Sequence, residues 1–387
     1  MATGTTEDVR RANLSAILRI LYHGGPASRT ALSKRTGRNR STIGSLVTDL
    51  VELGIVVERE PDSLGQVGRP SPVVSIGPKL VALAVNPEID VLTIGLVGLD
   101  GRLRRTIRHE CERIPSAAEV VSITAAVIAG MQLELEGLLV AGVGVAVPGL
   151  VRTGDGLVRI APHLGWRDEP FAAPLAAMTG YPVQVANDAA LGALAEHEFG
   201  AGRGTDHLIY LNGGASGIGG GVISSGRLLG GTSGHAGEFG HLRVSSSPVV
   251  DSAGIAGTLE AEVTRAELLE ALGPGRTNPA TFEADLLADR SPAVDAVVDR
   301  QLGHLGTAVA GAINLFNPEV IALGGFLSAL QAYDPARLDR AVRESALQPS
   351  AESVTITPAA LGADLLMVGA AGLAFGPVLA NPSSLST

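Results

Sequence analysis

At 387 residues the chain is too long for one ordinary hydrophobic core, so two or three domains are expected, and 45% hydrophobic residues can fill them. The one cysteine, Cys111, excludes an internal disulfide and a cysteine-based metal cluster within the chain, and fits a reduced cytoplasm. Charge is uneven: residues 1–79 carry a net +4 and the remainder −14, within a total of −10, so only the head is suited to meet a polyanion. No apolar signal region opens the chain, and no stretch approaches the roughly 20 uninterrupted apolar residues of a membrane span. A soluble, unexported protein with no membrane partner is expected.

The first helix is marked by Leu14, Ile17, Leu18 and Leu21, which recur at i, i+3, i+4 and i+7 on one apolar face. His23-Gly24-Gly25-Pro26 stops it. Ser28 is placed to cap a short helix through Ala31, Leu32 and Thr36, and Gly37 supplies a turn. A third helix carries Ile43, Leu46, Val47 and Leu50 on one face and ends near Gly54. Two β-prone runs follow, 55–60 and 72–76, with a polar, glycine-containing loop between them. This order predicts a winged helix-turn-helix over residues 1–78. In that arrangement the helix after the turn lies in the major groove with its first residues at base edges. Those residues are Arg38, Asn39, Arg40, Ser41 and Thr42, small, polar or basic as base and phosphate contacts require. Arg29, at the start of the preceding helix, joins the candidate DNA contacts. In the loop, Gly68-Arg69-Pro70 would make a thin tip whose Arg69 suits a narrow minor groove. A small helical interaction domain with a solvated basic face would show a similar pattern.

Beyond residue 79, β-rich runs alternate with helical stretches. Strands are expected at 80–85, 91–97, 139–147, 182–185, 207–211, 218–223 and 320–323. Helices are expected at 117–131, 170–179, 189–199, 259–272, 293–316 and 335–346. The alternation argues for α/β architecture, and two lobes with a ligand cleft are a natural solution at this length. Asn187-Asp188 follows a strand-like run and precedes an alanine-rich helix. Asp188 there could bind hydroxyls, act as a general base, or simply cap the helix. Glu238 and His241 lie three apart in a glycine-rich turn, with Glu260 further on. They could bind a ligand or stabilise the turn.

From Gly217-Ile218-Gly219-Gly220-Gly221, through Gly237-Glu238-Phe239-Gly240-His241, to Gly254-Ile255-Ala256-Gly257-Thr258-Leu259-Glu260, the chain resembles the sugar-binding half of the ROK family (repressor, open reading frame, kinase). Asn13-Leu14, Ser28-Arg29-Thr30-Ala31-Leu32, Thr36-Gly37 and Gly68-Arg69-Pro70 are similar to the DNA-binding head of its repressors. The resemblance spans essentially the whole chain. It implies two ribonuclease-H-like lobes of the actin and sugar-kinase type: a first lobe over 79–193, a second over 194–365, and a C-terminal helix near 366–380 packing back on the first. It also implies that Asn187, Asp188, Glu238, His241 and Glu260 contact a sugar, with Gly149 of Val147-Pro148-Gly149-Leu150-Val151 nearby. Asp188 takes the position of the kinase base. In that family three cysteines join the histidine on a structural zinc; here their positions read Asp251, Ala253 and Thr258. No metal and no cofactor are therefore expected, although Asp251 and His241 could be two ligands of a residual, poor site. The segment 161–166, ending Gly165-Trp166, matches the same frame or serves lobe packing.

Kinases of the family open their first lobe with an Asp-x-Gly-Gly-Thr phosphate turn. The corresponding stretch here is Val85-Asn86-Pro87-Glu88-Ile89-Asp90, in which Pro87 removes an N–H and two carboxylates repel ATP. The glycine turns Gly214-Ala215-Ser216-Gly217 and Asn317-Pro318 to Gly324-Gly325 remain, which folding alone can require. The reading is a sugar-responsive repressor, not an enzyme, that binds operator DNA as a homodimer or dimer of dimers with its effector between the lobes. A sugar kinase with an appended head, or a ligand-blind regulator, are the alternatives.

Overall fold

A computed structural model describes residues 6–60, 72–214, 217–274 and 281–386. The chain forms two compact units: 1–147, 151–186 and 366–387 in one, 148–150 and 187–365 in the other.

The first unit begins with the head. Helices Thr6–Gly24, Arg29–Thr36 and Arg40–Glu52 precede strands Val56–Arg59 and Val73–Ile76. The two strands are antiparallel, and a third short strand, Ala27–Ser28, joins the far edge. Leu14, Ile17, Leu18, Leu21, Leu32, Ile43, Leu46, Val47 and Leu50 are all buried, so the helical periodicity sets the head's core. The wing tip, with Arg69, lies outside the described residues.

A five-stranded sheet follows, in spatial order Val183–Asn187, Leu139–Val147, Leu80–Pro87, Val91–Gly98, Leu103–Glu110. The last of these is an edge strand whose side chains are mostly exposed, so its charged sequence carries no apolar signal. Sequence periodicity passes over it. A small sheet of Leu150–Arg152, Leu157–Ala161 and Trp166–Pro170 lies outside the predicted strands for a related reason: its segments are short. The C-terminal helix Leu365–Ala380 crosses the main sheet at its glycines. A Cβ at Gly144 would sit 1.8 Å from the Ala370 carbonyl oxygen, and one at Gly95 would sit 3.0 Å from the Met367 sulfur. By length and composition Gly362–Ala380 could cross a membrane, contrary to the expectation that no stretch comes near, but 61% of that window is buried inside the protein. It serves as a core helix. Its end meets the head, where the Ser15 hydroxyl donates to the Leu379 carbonyl at 2.6 Å.

The second unit has a five-stranded sheet in the order Arg227–Leu228, Gly217–Ser224, Leu208–Gly214, Val320–Gly325, Thr355–Pro358. Gly217–Ser224 runs antiparallel to Leu208–Gly214, which pairs in parallel with Val320–Gly325. The helix Pro292–Phe316 supplies Val294, Val298, Leu302, Leu305, Val309 and Ile313 to the core. Helix Phe326–Tyr333 was not predicted; at 8 residues it is too short for periodicity to declare itself. The single helix expected over 259–272 is two, Leu259–Glu262 and Arg265–Leu272. The break comes where the Thr264 side chain turns back to cap the second helix at the Glu267 amide. The helix Asp188–Phe199 belongs wholly to this unit, so the division falls at 186/187 and not at 193/194.

Candidate functional site

Glycines set the geometry around Asn187 and Asp188. A Cβ at Gly219 would lie 2.7 Å from the Ala189 Cβ, and one at Gly221 would lie 2.7 Å from the Ala193 Cβ. Only a strand without side chains at those positions lets the helix Asp188–Phe199 lie flush against it. The helix N-terminus is thereby held beside the strand. Its cap is Asn187: Oδ1 accepts from the Ala190 amide at 2.9 Å, and Nδ2 donates to the Gly149 carbonyl at 3.0 Å. The capping role considered for Asp188 therefore belongs to its neighbour. Asp188 occupies the first helical position, half-buried, where the helix dipole favours a carboxylate.

Glu238 precedes the short turn Phe239–His241 and is half-buried. Burial pushes its carboxyl above the usual range, His241 and His235 oppose this, and Glu260 adds to it. The three candidate side chains are thus close enough to feel one another's charge. Glu260 is tied down: Oε2 accepts from the Ile218 amide at 3.1 Å, and Oε1 accepts from the Ser252 amide at 3.2 Å and from its hydroxyl. Gly217 makes this possible, since a Cβ there would lie 2.1 Å from Glu260 Oε2. Gly240 is needed for a like reason, with a Cβ 2.0 Å from the Ile218 carbonyl oxygen. His235 was missed by sequence reasoning. Its Nε2 is shielded from solvent and has no hydrogen-bond partner among the described residues. Its place in Gly234-His235-Ala236-Gly237, just ahead of Glu238, is the signal that could have found it.

The positions of the family's zinc thiolates form a hydrogen-bonded hub. The Asp251 side chain is 0% exposed. Its Oδ2 accepts from His241 Nδ1 at 2.8 Å and from the Thr258 hydroxyl at 2.9 Å. Its Oδ1 accepts from the amides of Ala253 and Ile255, each at 2.9 Å. Burial opposes charge on His241, but the Asp251 hydrogen bond and carboxylate outweigh it and raise its pKa. Burial likewise works against charge on Asp251, yet its bonds to His241, Ile255, Thr258 and Ala253 hold its pKa below the usual value. These residues do not fit a metal. Ala253 has no donor atom, both Asp251 oxygens are already occupied, and no group of three or more His, Cys, Asp or Glu suited to a metal occurs among the described residues.

The stretch replacing the kinase phosphate turn is a tight hairpin. Glu88 donates its amide to the Val91 carbonyl at 2.9 Å, and Asn86 Nδ2 donates to Glu88 Oε1 at 3.2 Å. Glu88, Ile89 and Asp90 are exposed at its tip. An exposed acidic tip is the reverse of a phosphate cradle. The other glycine turns answer to folding. Gly325, at φ +57°, would place a Cβ 2.0 Å from the Gly213 carbonyl oxygen, while Ala215 and Ser216 lie outside the described residues. Trp166 is buried, donates to the Pro115 carbonyl at 2.9 Å and stacks on Phe171, a core role.

In the head, Ser28 caps the second helix at the Ala31 amide and Gly37 ends it at φ +67°. Asn39 caps the third helix: its Oδ1 accepts from the Thr42 amide and the Ser41 hydroxyl, both at 2.8 Å. Its side-chain oxygen is thereby committed to the first turn of the helix. Arg38, Asn39, Arg40 and Ser41 are exposed and Thr42 is half-exposed. The side chains of Arg38 and Arg40 make no ion pair with the described residues. Arg29 differs. Its guanidinium forks onto Glu58 of the wing, Nε to Oε1 and Nη2 to Oε2, both at 2.6 Å. It braces the wing against the second helix.

Two units, the first opening with a helix-turn-helix head and the second carrying clustered carboxylates and histidine on a glycine frame, define a regulator built on a sugar-kinase-like body. Residues 91–376 match the ROK family, and the chain belongs to it. It is similar to a putative xylose repressor of Caldicellulosiruptor sp. (strain Rt8B.4), 26% identical across 97% of this chain and 98% of that protein. A glucokinase of Thermotoga maritima is 32% identical, across 65% of this chain and 83% of the enzyme. Among solved structures, a ROK family transcriptional regulator, homolog of the E. coli MLC protein, superposes with TM-score 0.80 at 25% identity, covering 96% of this chain and 97% of that one.

Proposed function

We propose that this protein is a cytoplasmic transcriptional repressor whose grip on operator DNA responds to a sugar bound by Asn187, Asp188, Glu238, His241 and Glu260, with Gly149 alongside. The observation that carries the reading is coverage. The likeness to a repressor takes in 97% of the chain, head included, whereas the likeness to a glucokinase takes in 65%. Several convergent acceptors suit a polyol, and Asn187 already spans from the helix cap to Gly149. Arg40, Ser41 and Thr42 on the first turn of the recognition helix, with Arg38 just ahead of it, are the proposed DNA contacts, and Arg69, which lies outside the described residues, is the proposed minor-groove contact. Two heads of a homodimer would read two half-sites of an operator. Sugar and DNA are then linked reciprocally, each changing affinity for the other.

One similar protein is named a putative xylose repressor and another a glucokinase, so D-xylose is the first effector to try and D-glucose the second. The test is a gel shift on the promoter beside the protein's own gene, titrated with each sugar at fixed salt. A change in DNA affinity with one sugar is expected. Intact DNA binding that no sugar alters, together with no thermal shift, would leave a ligand-blind regulator.

The Thermotoga glucokinase likeness favours one other reading, a sugar kinase with Asp188 as base. The hairpin at Glu88 and Asp90 weighs against it, because carboxylates stand where phosphate must be held. A coupled ATPase assay with hexoses decides: sugar-dependent turnover abolished by Asp188→Asn would establish the kinase.

A further inference from the structure

Asp251 links every segment of the loop side of the cluster. Through Oδ2 it reaches the turn that carries Glu238 and His241, and the Thr258 hydroxyl. Thr258 in turn caps the helix that begins Leu259-Glu260, accepting from the Ala261 amide at 3.3 Å. Through Oδ1 it closes its own loop on the amides of Ala253 and Ile255. The next residue, Ser252, holds Glu260 by its amide and its hydroxyl. An ionised carboxylate is an acceptor with room for about four donors. Four donors converge on this one: two are backbone N–H groups, which have no lone pair to offer a cation, and the His241 nitrogen and Thr258 hydroxyl point to the carboxylate as donors.

The polarity of the site is therefore inverted. A metal gathers deprotonated thiolates around a positive centre. Here a buried anion gathers N–H and O–H groups around a negative one. Replacing thiolates by Asp251 and Thr258 does not leave a damaged metal site; it builds a different tie between the same segments.

We infer that Asp251 is a positioning residue standing in for the metal ion, so that this chain presents Glu238, His241 and Glu260 to its ligand without a metal. His241 is oriented by it directly: with Nδ1 bonded to Asp251, the other ring nitrogen is left for the ligand. Only the ligand arm of the test rests on the sugar reading proposed above.

The experiment uses the full-length protein, wild type beside Asp251→Ala and Asp251→Asn. Metal content is measured by mass spectrometry and amide hydrogen exchange is followed across residues 249–262. Wild-type protein is expected to carry no stoichiometric zinc and to keep its melting temperature in chelator. Exchange at residues 251–260 is expected to rise about tenfold in Asp251→Ala and by less in Asp251→Asn, with the rest of the chain and promoter affinity unchanged. One zinc per chain in the wild type overturns the inference, and so does unaltered exchange in both variants. If Asp251→Ala melts as a whole, Asp251→Asn decides. D-xylose and D-glucose titrations form the second arm. A sugar affinity that falls about tenfold in Asp251→Ala while DNA affinity holds supports a positioning role. Wild type that binds neither sugar defeats the sugar reading, and the metal and exchange results then decide Asp251 alone.

Discussion

Glu260 reaches the Ile218 amide only because position 217 lacks a side chain. With φ at +126° and a Cβ that would lie 2.1 Å from the carboxylate, Gly217→Ala should cost about 1–3 kcal/mol and displace Glu260. Thermal melting and a sugar titration both read this out. Glu238→Ala should abolish the sugar response in a gel shift and leave DNA affinity near wild type; a variant that still responds places the effector elsewhere. The His241–Asp251 pair makes a signed prediction. His241 is raised, so its stabilisation is full below its ordinary 6.5 and is lost as pH rises through the raised value. Asp251 is lowered, so its stabilisation is full above its ordinary 3.8 and is lost as pH falls through the lowered value. The melting-temperature gap between wild type and Asp251→Ala should therefore be widest between about pH 4 and 6.5 and shrink on either side. At this scale the sequence made residue types and spacing legible, as for Glu238, His241 and Glu260. It did not make partners legible. Asn187 bonds to Gly149 across 38 positions and Arg29 to Glu58 across 29, and no periodicity encodes such pairs.

Elements were read best where burial is one-sided and long. The first and third head helices follow from apolar spacing, whereas the short second one is marked by its Ser28 cap and Gly37 stop. Elements whose signal lies in hydrogen bonding were not: the exposed edge strand Leu103–Glu110 shows no apolar face, and Thr264 breaks a stretch whose side chains alone suggest one helix. The recognition helix rests on Asn39. Losing that cap in Asn39→Ala should lower the head's stability by about 1 kcal/mol and weaken operator binding if the first turn makes the contacts proposed for it. Arg40→Ala should instead leave melting unchanged and cost about 1–3 kcal/mol of operator affinity if a base contact is lost, measured at matched salt. Near the end of the C-terminal helix, where carbonyls run out of intrahelical partners, the Leu379 carbonyl accepts from Ser15 of the head. Ser15→Ala should lower thermal stability by about 1 kcal/mol, visible as faster exchange at both the first and the last helix.

For the whole molecule, the loss of the first phosphate turn and the gain of a head point the same way as the comparisons: a family member that reads DNA. A ROK-type body keeps its glycine frame for reasons of fit, at Gly219, Gly221 and Gly325, whether or not it transfers phosphate. That is why glycine motifs alone could not separate sensor from enzyme, while Glu88 and Asp90 could. The thiol-free hub around Asp251 carries a last consequence, in redox terms. Thiolates that hold a loop can be oxidised to sulfenic or sulfinic acid, and the loop is then released. A carboxylate has no such chemistry. The chain's single thiol, Cys111, follows the edge strand of the other unit, far in sequence from residue 251. Sugar-dependent DNA binding should therefore survive peroxide treatment that disables thiolate-zinc sites, and gel shifts before and after oxidation would show it.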